Sequence, residues 1–350
     1  MKKFLIFAAV SALMLGTASC NKVPAGFSGT ANFFVELGSG QTKATTGFSD
    51  AFEKNVKNFQ VVVFYADEAE NGENRGKFET FAGGISNEGV TKLAVSCAKG
   101  PKTIYAVVNY PESLDGIASI DALKAKVSTL ASQDFNSFTM VGEKSQVVEG
   151  GTNSIIIDVY RIAARVVVNK ITNAFKVAVN QAKTFKVNAL YLTNVQGANT
   201  LNKDGFQAAE GTWYNKKGFD NSDLSKKFLW DNMNDVVIAY NASYEGQHVF
   251  YAFPNDADND VWGGDEWSKR ATRLVIEAEL GGDKMYYPIN LQPFQSNKSY
   301  EISEVIITKV GSAGPDDPVT SDDIEVSINV KEWDVVPVNS AGQSGGVYQF

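Results

Sequence analysis

The chain has one histidine and two cysteines, so acid–base or thiol chemistry would have to be built from His248, Cys20 and Cys97. A nucleophilic thiol at Cys97 needs a base within hydrogen-bond reach, yet His248 lies about 150 residues away, in the strand-like run Gln247-His-Val-Phe-Tyr251. Cys97 ends Thr91-Lys-Leu-Ala-Val-Ser-Cys97, just before a Lys99-Gly-Pro turn, and reads as a small hydrophobe in a strand. Asp256-Ala-Asp-Asn-Asp260 spaces its carboxylates as a calcium loop does. Val261 stands where the sharp turn needs glycine, however, and Trp267 where a bidentate glutamate is needed, so the segment reads as a solvated acidic loop. No glycine-rich phosphate loop precedes a helix, and no His-x-Glu or Cys-x-x-Cys pair occurs. Neither an enzyme, a metal site nor a cofactor is expected. Trp213, Tyr214, Trp230, Trp262 and Trp267 fall in the second half of the chain; such rings can stack on sugars, but packing against a sheet is their commoner use.

Two positions suit chemistry done to the chain. Lys2 and Lys3 precede an apolar run from Phe4 to Leu15 and a small-residue stretch, Gly16-Thr-Ala-Ser19, that ends at Cys20. The run is shorter than the roughly 20 apolar residues of a spanning helix. Cys20 is placed as in a bacterial lipobox, where the thiol is acylated and becomes the new N-terminus. Ordinary signal peptidase cleavage near Ala18 would instead leave it a free thiol. The second position is Lys43, the one basic residue in Gly38-Ser-Gly-Gln-Thr-Lys-Ala-Thr-Thr-Gly47, a polar, small-residue loop of the kind proteases cut.

The elements that would position these residues are strands. Thr30 to Leu37 alternates, with Ala31, Phe33, Val35 and Leu37 on one face and Asn32 and Glu36 on the other. Further β-branched or aromatic runs cover Phe59 to Tyr65, Lys102 to Asn109, Ser154 to Tyr160, Ala164 to Ile171, Phe185 to Leu192, Val236 to Tyr240, His248 to Phe253, Arg273 to Leu280, Lys284 to Leu291, Tyr300 to Lys309 and Ile324 to Trp333. Ile120, Leu123, Val127 and Leu130 are spaced for a short amphipathic helix over 120–130, capped around Ser119 and Asp121. At 350 residues the chain is long enough for two domains, with a break near Arg161. Its net charge of -8, without a basic cluster, disfavours nucleic-acid binding. After the turn-rich hinge Gly311-Ser-Ala-Gly-Pro-Asp-Asp-Pro318 and the alternating Ile324 to Val330 comes a tail, 335–350, that is apolar at both ends: Val335, Val336, Val338, Val347, Tyr348 and Phe350. An exposed apolar strand is an aggregation hazard, and it makes sense if a partner's sheet is its destination.

The set resembles the fimbrillins, the stalk subunits of type V pili in diderm bacteria. The resemblance is carried by the stretch ending at Cys20, the first strand followed by Thr42-Lys-Ala-Thr45, and Phe59-Gln-Val-Val-Val-Phe-Tyr65. It continues through Gly100-Pro-Lys-Thr-Ile-Tyr-Ala-Val-Val-Asn109, Tyr160-Arg-Ile-Ala-Ala-Arg-Val-Val-Val168, Phe250-Tyr-Ala-Phe-Pro-Asn255, Tyr300-Glu-Ile-Ser-Glu-Val-Ile-Ile307, the hinge and Trp333. The resemblance implies an all-β chain of two transthyretin-like β-sandwich domains with a short helix in the first. It implies a lipoprotein signal peptide at 1–20, a removable strand and linker at 21–43, domains at 44–160 and 161–334, and a donor-strand tail at 335–350. Cys20 would carry the lipid, palmitate included, and tether the precursor to the outer membrane. An Arg- or Lys-specific protease would cut between Lys43 and Ala44 and release the strand bearing Ala31, Phe33, Val35 and Leu37. The tail of an identical or related subunit would then enter the vacated groove, building a cell-surface fimbrium that serves adhesion, colonisation and biofilm formation. The alternative is a monomeric outer-membrane glycan-binding lipoprotein that uses the tryptophan-rich segment.

Overall fold

The computed structural model describes residues 29–38, 55–202, 213–215, 225–257, 270–291, 293–317, 324–333 and 347–348. In chain order the first strands are β1 (Thr30–Leu37), β2 (Phe59–Tyr65), β3 (Phe78–Gly84), β4 (Lys92–Ala98), β5 (Gly100–Val108), β6 (Val127–Thr129), β7 (Met140–Val148), β8 (Ser154–Ile157) and β9 (Tyr160–Arg161). Sheet β4-β1-β8 lies over sheet β3-β2-β5-β7-β9. Between them Phe33, Val35, Phe59, Val61, Val63, Val95, Ile104, Ile155 and Ile157 form one apolar cluster. β2 and β5 are buried along almost their whole length because both of their faces are covered, with Gln60 in β2 and Lys102 and Thr103 in β5 as polar interruptions. Val62, Phe64, Tyr105 and Val107 point the other way, into a second and larger cluster.

The remaining strands are β10 (Ala164–Asn173), β11 (Phe185–Thr193), β12 (Val195–Gln196), β13 (Ala198–Thr200), β14 (Trp213–Tyr214), β15 (Trp230–Val237), β16 (Ser243–Ala252), β17 (Arg273–Leu280), β18 (Asp283–Asn290), β19 (Lys298–Ile307), β20 (Ile324–Glu332) and β21 (Val347–Tyr348). They build a five-stranded sheet, β16-β10-β19-β20-β21, and a four-stranded sheet, β15-β11-β17-β18, with β12 paired to β14 and β13 to β6. Val166, Ile171, Phe250, Ile302 and Ile328 of the one sheet and Val187, Leu190, Ile276 and Tyr287 of the other share the larger cluster. That cluster runs on to Tyr105 and Phe138, so the apolar interior is continuous across the seam where the chain passes from β9 to β10. Trp333 sits fully buried at this seam, with Arg161 4.6 Å and Arg165 5.5 Å from its ring and Phe138 and Tyr251 beside it.

Two expectations need correction. The helix starts where its cap predicts, with Ser119 Oγ accepting from the Ala122 N–H at 3.1 Å, but it ends at Lys124. Leu123 and Leu130 are buried while Val127 is 41% exposed, so the expected stripe is broken. The β-branched Val127 and Thr129 favour extended backbone, and 127–129 pair with β13 as β6. The strand expected at Val236 to Tyr240 is instead the end of β15, which runs Trp230–Val237. Beyond it the chain turns, with Asn241 at φ 57° and the Ala242 N–H bonded back to Ala239.

Candidate functional site

β1 is the central strand of its sheet. It runs antiparallel to β4, from Thr30↔Ala98 to Glu36↔Lys92, and parallel to β8, from Phe34↔Ser154 to Leu37↔Ile157. Its alternation therefore has two consequences. Ala31, Phe33 and Val35 are buried in the apolar cluster and Leu37 packs half-buried against it. Asn32 and Phe34 are exposed on the other face, and the Glu36 carboxylate pairs there with Lys92 and accepts from Ser154 Oγ at 2.7 Å. These two partners hold the Glu36 carboxyl below its ordinary pKa. Each buried Phe or Val side chain contributes about 1.5–3 kcal/mol, so withdrawing β1 would forfeit several kcal/mol. It would also strip two strands at once of ladder partners, because β4 and β8 face β1 from opposite sides.

Cys97 lies directly across the ladder from Ala31 and is buried and free. Burial, followed by the nearby Glu79 carboxylate, pushes its thiol up to about 12, the opposite of what a nucleophile needs. His248 belongs to β16, in a different sheet, with its Nδ1 2.6 Å from Asp231 Oδ2 of β15. The structure thus does not bring the thiol and the imidazole together. Among the described residues no group of three metal-ligating side chains occurs, and no helix is long and apolar enough to cross a membrane. Trp230 lies flat on Tyr191 at 4.3 Å, so one ring face is already covered, while Trp213 and Tyr214 are half-buried in β14. Trp262, Trp267 and most of the acidic loop lie outside the described residues.

The tail enters the structure at two positions. Val347 and Tyr348 pair antiparallel with Asn329 and Ile328, on the side of β20 away from β19. Cys20, Lys43, Ala44, Val335, Val336, Val338 and Phe350 lie outside the described residues.

One feature beside β1 escaped the sequence reading. Lys102 of β5 is fully buried, 2.5 Å from Glu79 of β3, with its ammonium 3.8 Å from the centre of the Tyr65 ring. The two charged atoms approach without hydrogen-bond alignment, so the contact is electrostatic. Burial and Glu79 push the Tyr65 phenol up to about 12. The available signal was a lysine inside the otherwise apolar run Gly100–Val108.

Comparison with known proteins gives this arrangement its setting. The major fimbrial subunit protein (FimA) family matches residues 31–181. No curated protein matches the chain. Among solved structures the chain is similar to a fimbrilin (FimA) from Porphyromonas gingivalis W83, with TM-score 0.61 and 15% identity over 88% of this chain and 98% of that one. It is also similar to a candidate cell adhesion protein from Bacteroides eggerthii DSM 20697, with TM-score 0.58 and 20% identity over 90% and 98%. The C-terminally truncated tip fimbrial protein Mfa3 of Porphyromonas gingivalis gives TM-score 0.54 and 14% identity over 87% and 100%. At such identities the likeness is one of fold. The stretch similar to the major fimbrial subunit protein (FimA) family, residues 31–181, takes in β1 except Thr30 together with the whole of β4 and β8.

Proposed function

We propose that the chain is a stalk subunit of a cell-surface fimbrium that polymerises by protease-triggered strand exchange, supporting adhesion, colonisation and biofilm formation. The observation that carries this reading is the central place of β1 between β4 and β8. A central strand that opens the fold can be lost as a separate peptide only if the loop after it is cut. Lys43-Ala44 supplies a cleavable bond in that loop. Lipid at Cys20 tethers the uncut precursor to the outer membrane, and an Arg- or Lys-specific protease cuts after Lys43. Loss of residues 21–43 leaves a slot walled by β4 and β8 and floored by Val61, Ile104 and Met140. An extended tail, 335–350, from an identical or related subunit fills it, exchanging backbone bonds and apolar side chains for those lost. One slot and one tail per subunit make a heterologous contact that does not close, hence a filament. The trimmed subunit is then two transthyretin-like sandwiches, 44–160 and 161–334, with the pairing of Val347 and Tyr348 on β20 as the tail's resting place before exchange.

The test is Lys43→Ala. The variant should remain a lipidated monomer, while wild-type fimbriae should yield Ala44 as N-terminus by mass spectrometry. Normal filaments from the variant with no cut elsewhere in 38–47, or Cys20 recovered as the N-terminus of polymerised subunits, would refute the reading.

A further inference from the structure

We infer that the buried Lys102–Glu79 pair is a brace that holds β4 in place once β1 has gone, so that the slot keeps the width of one strand. The inference rests on the exchange reading above and deepens it.

Among the described residues β4 has β1 as its only neighbour within its sheet. When β1 leaves, β4 loses every ladder bond and stays joined to the other sheet through the corner where it passes into β5 at Lys99 and Gly100. Gly100 has φ 124°, a conformation that side-chain-bearing residues avoid, so the corner is made at a residue with wide backbone freedom. A hinge alone would let β4 swing across and pair with β8, closing the slot, or lift away from the core.

Glu79 fixes that corner. Its Oε1 accepts the Ala98 N–H of β4 at 2.6 Å, and its Oε2 faces Lys102 of β5 at 2.5 Å. Three strands, β3, β4 and β5, thus converge on one carboxylate, and β1 is not among them. The brace therefore survives the event that removes β1. At the far end of β4, Leu93 packs close against β3 at Gly83, where a Cβ would come within 2.8 Å of Leu93 Cδ1. β4 is thus pinned at both ends by contacts to the sheet that remains. Stability of the uncut protein is a weak reason for burying such a pair, since desolvation offsets most of its attraction, and apolar replacements are often neutral or stabilising. Its value lies in fixing one geometry.

The test uses the full chain, cut in the loop after β1, with β1 peptide removed, and a synthetic peptide of residues 29–38 as probe. In Glu79→Leu/Lys102→Met both the charge pair and the tie to Ala98 are gone. In Glu79→Gln/Lys102→Met an acceptor for Ala98 remains. The precursors should be as stable as wild type, while the cut Leu/Met protein should bind the peptide about tenfold or more weakly and the Gln/Met protein should lose less. Equal affinity across all three cut proteins overturns the brace. Should the Leu/Met precursor fail to fold, hydrogen exchange decides on the Gln/Met protein. Its β4 amides, 92–98, should exchange about tenfold faster than in cut wild type while those of β5 do not, and identical rates overturn the inference. Maleimide labelling of Cys97, which faces Ala31 across the ladder, reports whether the slot is empty or filled. If cut wild type binds the 29–38 peptide but not a 335–350 peptide, the exchange reading fails and the brace stands. If it binds neither, both fail.

Discussion

β1 and β20 are written in the same alternating pattern and hold opposite places. β1 is flanked along its length on one side by β4 and over half of it on the other by β8. β20 is paired from Ile324 to Glu332 with β19, but its other side meets only Val347 and Tyr348 among the described residues. A strand held on both sides leaves a slot when it goes. A strand held on one side presents a row of N–H and C=O groups that can seat an extended segment. The difference teaches that whether a strand could leave a slot or seat a further strand is set by its position in the sheet and not by its hydrophobic pattern.

The largest expected effect concerns the β20 end. Deleting 335–350 should leave a folded, trimmed subunit that forms no filaments, because it can accept a strand and has none to give. Electron microscopy after trimming reads the outcome, and long filaments would show that the polymer contact lies elsewhere.

Next comes a pair of core truncations that separates the two strands directly. Phe33→Ala should lower precursor stability by about 3–5 kcal/mol and leave the trimmed protein unchanged, since β1 is then absent. Ile328→Ala should lower both forms alike, by about 2–5 kcal/mol. Urea midpoints before and after trimming measure this; an equal Phe33→Ala loss in both forms would break the comparison.

The outer face of β1 should matter far less. Phe34 is 44% exposed, so Phe34→Ser should shift stability by no more than about 0.5 kcal/mol. Glu36→Gln should have the smallest effect. Lys92 and Ser154 hold the Glu36 carboxyl below its ordinary value. The contribution is therefore present above the unfolded carboxylate pKa of ~4.3 and is lost as pH falls through the lowered value. The variant should lose a little stability at neutral pH, none in strong acid, and less in high salt. A stability deficit that persisted in strong acid would point to packing and not to the ion pair.

How much of this was legible follows from where the information resides. The strands at Thr30–Leu37, Phe59–Tyr65 and Arg273–Leu280 could be read because one- or two-sided burial writes itself into local alternation or unbroken apolar runs. The parallel pairing of β1 with β8 could not, since parallel partners are brought together by long connections that leave no local mark. β7 carries Glu143, Lys144, Ser145 and Gln146 on a largely exposed half, which hid it. Val127 shows the limit of spacing: it completes a helical stripe on paper, but a distant strand partner, Thr200, claims its backbone. At the site, the inward residues of β1 were readable one by one. Its central place was not, and neither was the partner of Lys102, which comes from a strand two away in the same sheet.

Trp333 gives the tail a mechanical root. It directly follows β20 inside the seam, its N–H bonded to Asn297 O at 2.7 Å and its ring set among Arg161, Arg165, Phe138 and Tyr251. Tension drawn along residues that follow it would act lengthwise on β20, loading the rungs to β19 in shear and together, where a crosswise pull would unzip them one at a time. The same tension would have to draw a fully buried indole away from two neighbouring guanidinium groups before the ladder could slide. A fibre joined through this tail would therefore owe its resistance to stretching to a rivet at the waist of each subunit, set apart from the sheet that receives the strand.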